Sequence, residues 1–232
     1  MEKVFFKPER AGADALALGL FSERLGAEPG SAAFETMKRE AEAVVKKLRS
    51  AFGAKCEYVG FGEGEFTLSG SRLAAGGVTV ECRAFERMEK EAVKNVYFCA
   101  CTAGDFACAS EDDMEKFYAD LWGGAYLDGL RTLLEDELAD RAAEEGLTLS
   151  RSFGPGFYGM DVSETAKIAE IVDFDELGMR INSAGVMEPP KSCAGLYFAV
   201  REGFGDPGPE CKDCRGNEGG CRFCLVNKKG CD

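Results

Sequence analysis

Ser152-Phe153-Gly154-Pro155-Gly156-Phe157-Tyr158-Gly159-Met160-Asp161 opens the stretch that decides the fold, and Met187-Glu188-Pro189-Pro190-Lys191-Ser192-Cys193-Ala194-Gly195-Leu196-Tyr197-Phe198 closes it. Each segment sets glycine, proline and aromatic residues beside polar groups. Glycine permits sharp turns and close backbone approach, and proline holds a turn rigid. Two readings fit: buried turns flanking a helix, or two loops walling a ligand cleft. Between the segments Ser163 is placed to cap a helix carrying Ile168, Ile171 and Val172. Met179 to Asn182 and Leu196 to Val200 read as strands joined without a helix. Strands linked directly and helices in blocks predict an α+β fold: an antiparallel twisted sheet packed with helices, not a doubly wound one.

Working outward, the upstream half fits that class. Arg10 to Leu25 reads as a helix with Leu16, Leu20 and Phe21 on one side. Ser31 is a good N-cap, and Phe34, Met37, Ala41, Val44, Val45, Leu48 and Phe52 recur at helical spacing behind it. Cys56 to Phe61, Phe66 to Leu68 and Val78 to Phe85 read as short strands between glycine turns. Gly60-Phe61-Gly62-Glu63-Gly64 has the look of a dinucleotide loop, but no helix start follows, and Glu63 and Glu65 would repel phosphate. A hairpin turn is the expectation there.

Val96 to Ala100 reads as a central strand, which puts Cys99 and Cys101 on one face. They are either buried small hydrophobes or, with Cys108, a reactive set. Ser110 to Asp113 is expected to cap a helix with the apolar stripe Met114, Phe117, Tyr118 and Leu121. Gly123-Gly124 is a candidate kink, after which Tyr126 to Ala142 continue the helix to Gly146.

Composition narrows function. The 232 residues carry a net charge of −13, which argues against nucleic acid as a partner. No apolar run approaches the roughly 20 residues of a membrane span. Ala15 to Phe21 follows mixed charges, not a basic head, so the expectation is a cytoplasmic protein without a signal peptide. There is no histidine, which removes Ser-His and Cys-His catalysis, histidine-ligated zinc and a histidine ligand to cobalt.

Eleven cysteines suggest metal or thiolate chemistry in a reducing compartment. Pro207-Gly208-Pro209 reads as a linker, dividing a domain over residues 1–206 from a cysteine-rich tail over residues 207–232. Cys211, Cys214, Cys221, Cys224 and Cys231 follow the spacing C-x2-C-x6-C-x2-C-x6-C. Each C-x2-C pair can turn two sulfurs toward one ion, and four thiolates satisfy tetrahedral zinc or a cubane cluster. The tail carries five basic and four acidic residues, leaving −14 for the other 206. Its cations would offset thiolate charge, and with so little to bury it should fold only around metal. Disulfides are the competing reading.

Taken in order, Pro155-Gly156-Phe157, a helix, Gly178-Met179-Arg180, Met187-x-Pro189 and Ser192-x-x-Gly195-x-Tyr197-Phe198 resemble the reactivation domain of cobalamin-dependent methionine synthase and its free-standing relatives. Cys101-Thr102-Ala103-Gly104 and Leu138-Ala139-Asp140-Arg141-x-Ala143-Glu144 extend the resemblance, which covers Val96 to Val200. It implies an α+β domain that binds S-adenosylmethionine and docks on a corrinoid domain, helping to reduce and remethylate its cobalt. The family's arginine and tyrosine positions hold Ser152 and Phe157 here, with Arg151 one residue away. The implied binding residues are Arg151, Gly154, Pro155, Gly156, Phe157, Tyr158, Lys191, Ser192, Gly195 and Tyr197. Lys191 is expected to meet a carboxylate or lie in solvent.

The resemblance tilts the metal reading toward a 4Fe–4S cluster over zinc. It points to an accessory protein that activates a separate corrinoid protein or corrinoid methyltransferase. The alternatives are a non-catalytic zinc or iron–sulfur module with a small-ligand pocket, and a carrier of clusters.

Overall fold

The computed structural model describes residues 1–6, 8, 10–24, 27–28, 30–48, 53–104 and 110–201. The chain runs β1 (Glu2–Phe6), α1 (Arg10–Arg24), α2 (Ala32–Leu48), β2 (Lys55–Phe61), β3 (Phe66–Ser69), β4 (Arg72–Ala75) and β5 (Val78–Glu81). A 3-10 turn (Arg83–Arg87) leads to β6 (Val93–Thr102), α3 (Asp113–Glu144) and β7 (Leu147–Leu149). The last part is α4 (Glu164–Ala169), α5 (Phe174–Leu177), β8 (Arg180–Ile181), β9 (Met187–Glu188) and β10 (Ser192–Arg201). The main sheet has the order β1-β2-β6-β10-β7, and its pairings are antiparallel. This is the α+β class expected from the sequence.

β6 and β10 form the centre because both are apolar on both faces, the pattern of strands covered from two sides. Alternation sorts their side chains. Tyr58, Tyr97, Cys99, Cys101, Tyr197 and Ala199 join one core, under the long helices. Val59, Val96, Phe98, Ala100, Leu196 and Phe198 join the other. Register aligns Leu196 with Phe98 and Phe98 with Val59, so each row of three strands contributes to one layer.

On the helical face α3 lies along the sheet with α1 and α2 packed on it. Its cap is Asp112, whose carboxylate accepts from Met114 N–H at 2.8 Å. Asp112 belongs to the expected capping stretch Ser110 to Asp113, and Ser110 Oγ accepts from Asp112 N–H at 3.1 Å just outside the helix. A carboxylate also suits the positive end of the dipole better than a hydroxyl. The helix runs unbroken through Gly123-Gly124. Gly129 is where α1 crosses: a Cβ there would sit 3.3 Å from Ala13 O and Ala17 N. Tyr118 is buried as expected, but Met114 is 52% and Phe117 49% exposed, so the first turn's apolar residues face outward. Ser31 caps α2, accepting from Phe34 N–H at 3.1 Å.

The other face is covered by the small β3-β4-β5 sheet, the 3-10 turn, α4 and α5. The turn at Gly62 to Glu65 is real, with Glu65 N–H donating to Gly62 O, but it is not a hairpin. β2 belongs to the main sheet and β3 to the small one, so the turn passes the chain between sheets. The expected strand to Phe85 stops at Glu81. Cys82 bridges to Met160 and the chain tightens into the 3-10 turn that buries Phe85. Phe85, Phe153 and Phe198 meet edge to face, with centroids 5.3–5.6 Å apart. Glu57 is a buried carboxylate on this side, as is Glu164: Glu57 Oε1 accepts from Asp173 N–H at 2.9 Å and lies 3.5 Å from Lys3 Nζ, while Oε2 is buried without a partner. Burial raises the Glu57 pKa against the hydrogen bond and Lys3, which lower it.

Phe52, Cys108 and residues 207–232 with their five cysteines lie outside the described residues.

Candidate ligand loop at the edge of the sheet

The first glycine–proline segment begins as an extension of sheet pairing. Ser150 N–H donates to Phe198 O at 2.7 Å, and Phe198 N–H returns a bond to Ser150 Oγ at 2.9 Å. Phe153 then exchanges two bonds with Leu196, each 2.8 Å. The second segment is β10 itself, so the two stretches touch directly. Gly195 is required at the contact: a Cβ there would fall 2.6 Å from Phe153 O, a distance real Cβ atoms do not adopt. Gly154 sits under the same constraint, its virtual Cβ 3.3 Å from Ala194 O.

Beyond that crossing the loop closes on itself. Phe157 N–H donates to Gly154 O, Met160 N–H to Phe157 O, and Gly156 N–H to Met160 O. Tyr158 takes φ +55°, a left-handed conformation costly for a bulky residue. Two contacts hold it there: its ring packs on Phe153, centroids 6.3 Å apart, and its carbonyl accepts from the Cys82 thiol at 3.4 Å. The consequence lies next door. With Tyr158 turned in, Phe157 points out and is 61% exposed, beside Val162 at 49%. Strain of this kind, held by surrounding structure, marks functional loops. Arg151 and Gly156 are exposed as well, and Pro155 is half-buried.

The second segment divides. Ser192 is buried and donates to Thr102 Oγ1 at 2.9 Å. Lys191 reaches α3, where Nζ meets Asp120 Oδ1 at 2.5 Å. Tyr197 is 1% exposed and lies under α3, in the core opposite to that of Phe153. Its hydroxyl is buried without a hydrogen bond of good geometry, and burial chiefly drives its pKa up. The structure thus brings Phe153, Gly154, Tyr158 and Gly195 together, opens Arg151, Gly156 and Phe157 to solvent, and separates Lys191 and Tyr197 from them.

Two surface hollows lie elsewhere, one at the β1 edge of the main sheet and one at the β7 edge. One, about 430 Å³, is lined by residues including Lys3, Asp173 and Arg180. The other, about 380 Å³, is lined by Ala139, Ala143 and Gly146 to Leu149. Neither is walled by both glycine–proline segments. The β7 edge was not singled out in the sequence, since three residues of Leu-Thr-Leu carry too little alternation to signal a strand. Among the described residues no group of three or more Cys, Asp or Glu is placed to hold a metal ion. No helix among them is long and apolar enough to cross a membrane.

No family model matches the chain, and no curated protein matches it. Among solved structures its fold is similar to that of the MetH reactivation domain bound to AdoHcy, with TM-score 0.55 and 14% identity over 87% of this chain and 79% of that one. At that identity the likeness is one of fold.

Proposed function

We propose that this chain is an accessory protein of the activation-domain type. It docks on a separate corrinoid protein or corrinoid methyltransferase and assists reductive activation of the cobalt. The supporting observation is the loop at Phe153 to Met160: on a fold like that of the reactivation domain, a strained turn clamped on Gly195 projects a bare aromatic ring. An exposed ring suits an adenosyl ligand, which stacks through its base. S-adenosylmethionine or S-adenosylhomocysteine would rest on Phe157 and Gly156. Lys191 and Tyr197, held by Asp120 and by the core under α3, contribute scaffold and not contacts.

The cysteine tail extends the reading. Cys211, Cys214, Cys221 and Cys224, with Cys231 as a fifth thiolate, would hold a 4Fe–4S cluster, which supplies one electron at a time when bound. The charge of the first 206 residues favours a cationic docking surface on the partner. Metal and sulfide analysis of the anaerobically purified full chain tests this part. Four irons with four sulfides per chain are expected. One zinc without sulfide points to the second reading, a non-catalytic zinc module with a small-ligand loop, which the burial of Tyr197 away from the loop favours.

A further inference from the structure

Three cysteines from three neighbouring strands stand in one row across the sheet. Cys56 of β2 is opposite Cys101 of β6, and Cys101 is opposite Cys193 of β10. All three face α3. Ala103 N–H donates to Lys191 O at 2.8 Å, which makes that pair a hydrogen-bonded one. Alternation then makes Cys101–Cys193 the next hydrogen-bonded pair, Cα atoms about 5.5 Å apart, and Cys56–Cys101 a non-hydrogen-bonded pair at about 4.5 Å. Both separations lie within the span a disulfide bridges.

The three thiols are not equivalent. Cys56 and Cys101 are 1% exposed, whereas Cys193 is only half-buried. The Cys101 thiol hydrogen-bonds to Cys193, which lowers the pKa of Cys193 against its burial, with the Arg131 guanidinium of α3 lowering it further and Asp128 opposing. The same bonds to Cys193 and Cys56, and then burial, push Cys101 up. Cys99, on the same face, is raised by burial. The carboxylates of Asp128 and Glu135 act on the same Arg131, and the Tyr197 hydroxyl bonds to Glu135. The least buried cysteine of the row, with a guanidinium acting on it, is the setting in which a thiolate attacks an oxidant.

We propose that Cys193 is a site of oxidation by peroxide, with Cys101 as the resolving thiol. The Cys193 thiolate attacks one peroxide oxygen, the O–O bond breaks, and the departing hydroxide takes up a proton as water. Cys193 is left as a sulfenic acid. The Cys101 sulfur then attacks the Cys193 sulfur. The S–O bond breaks as the S–S bond forms, and hydroxide leaves with the Cys101 proton as a second water. Two thiols and one peroxide give one disulfide and two waters, the two electrons passing from sulfur to oxygen. This inference does not depend on the ligand loop or on the cysteine tail.

The test is peptide mass spectrometry of the anaerobically purified full chain after one equivalent of hydrogen peroxide, without reductant. The Cys101 and Cys193 peptides are expected linked. In Cys101→Ser, Cys193 is expected as a sulfenic acid trapped by dimedone. In Arg131→Gln, whose fold is checked by circular dichroism, oxidation of Cys193 is expected about tenfold slower. Recovery of Cys193 unoxidised, a Cys193 link to a tail cysteine instead, or an unchanged rate in Arg131→Gln overturns the proposal.

Discussion

The two faces of the main sheet solve the same packing problem with different materials. Under α1, α2 and α3 the sheet presents tyrosines and thiols, and long helices cover it with alanine, leucine and single polar groups. On the other side short elements and a looped chain bury an aromatic interior around Phe85, Phe153 and Phe198, with the Glu57 and Glu164 carboxylates at its margins. Adjacent residues of one strand show the contrast: Tyr197 points one way with a buried hydroxyl, Phe198 the other into an aromatic trio. The aromatic face fixes the ligand loop. The helical face holds the row of three thiols.

Substitutions can break or sharpen that contrast. Phe198→Ala removes the centre of the aromatic trio and should cost about 3–5 kcal/mol in urea unfolding, as for other buried phenylalanines. Gly195→Ala forces a methyl group against Phe153 O. It should cost about 1–3 kcal/mol and free the loop from β10, read as faster amide exchange at Phe153 and Leu196. Tyr197→Phe deletes only a buried hydroxyl whose bond to Glu135 has poor geometry, and should change stability by no more than about 1 kcal/mol. A loss comparable to Phe198→Ala would mean that the two faces are not different in kind.

The smallest effect is at Glu57. Its folded pKa is raised by burial, so its contribution to stability is full below the ordinary carboxylate value of 4.5 and is lost as pH rises through the folded value. Glu57→Gln keeps an acceptor for Asp173 N–H but no charge. Its stability relative to wild type should therefore improve as pH rises above 4.5 and level off once pH passes the folded value, measured by denaturant midpoints. A flat difference would show that Lys3 compensates the buried charge fully.

Local signals carried the helices and central strands well. Ser31 capped α2, the run Val96 to Ala100 was a central strand, and α3 stopped at Gly146, because each depends on neighbours in sequence. What failed was set at long range. β1 carries Glu2 and Lys3, and only pairing with β2 makes it a strand. The Gly62 to Glu65 turn looks local, yet which sheet receives each side is decided by contacts distant in sequence. At the candidate site, the glycines were legible and their reason was not: Gly195 is needed, and Gly154 is tightly placed, because one backbone crosses the other. Tyr197 and Phe157 illustrate the limit, since the aromatic pattern is the same and only the fold turns one inward and the other to solvent.

The most direct test of the account is a calorimetric titration of the full chain with S-adenosylhomocysteine, beside Phe157→Ala. Phe157 is exposed, so its removal should change stability by no more than about 0.5 kcal/mol. The account predicts saturable heat for the wild type and affinity at least about tenfold weaker for Phe157→Ala, in line with loss of one stacked ring. No heat from the wild type at millimolar ligand, or equal affinity in the two proteins, would contradict it.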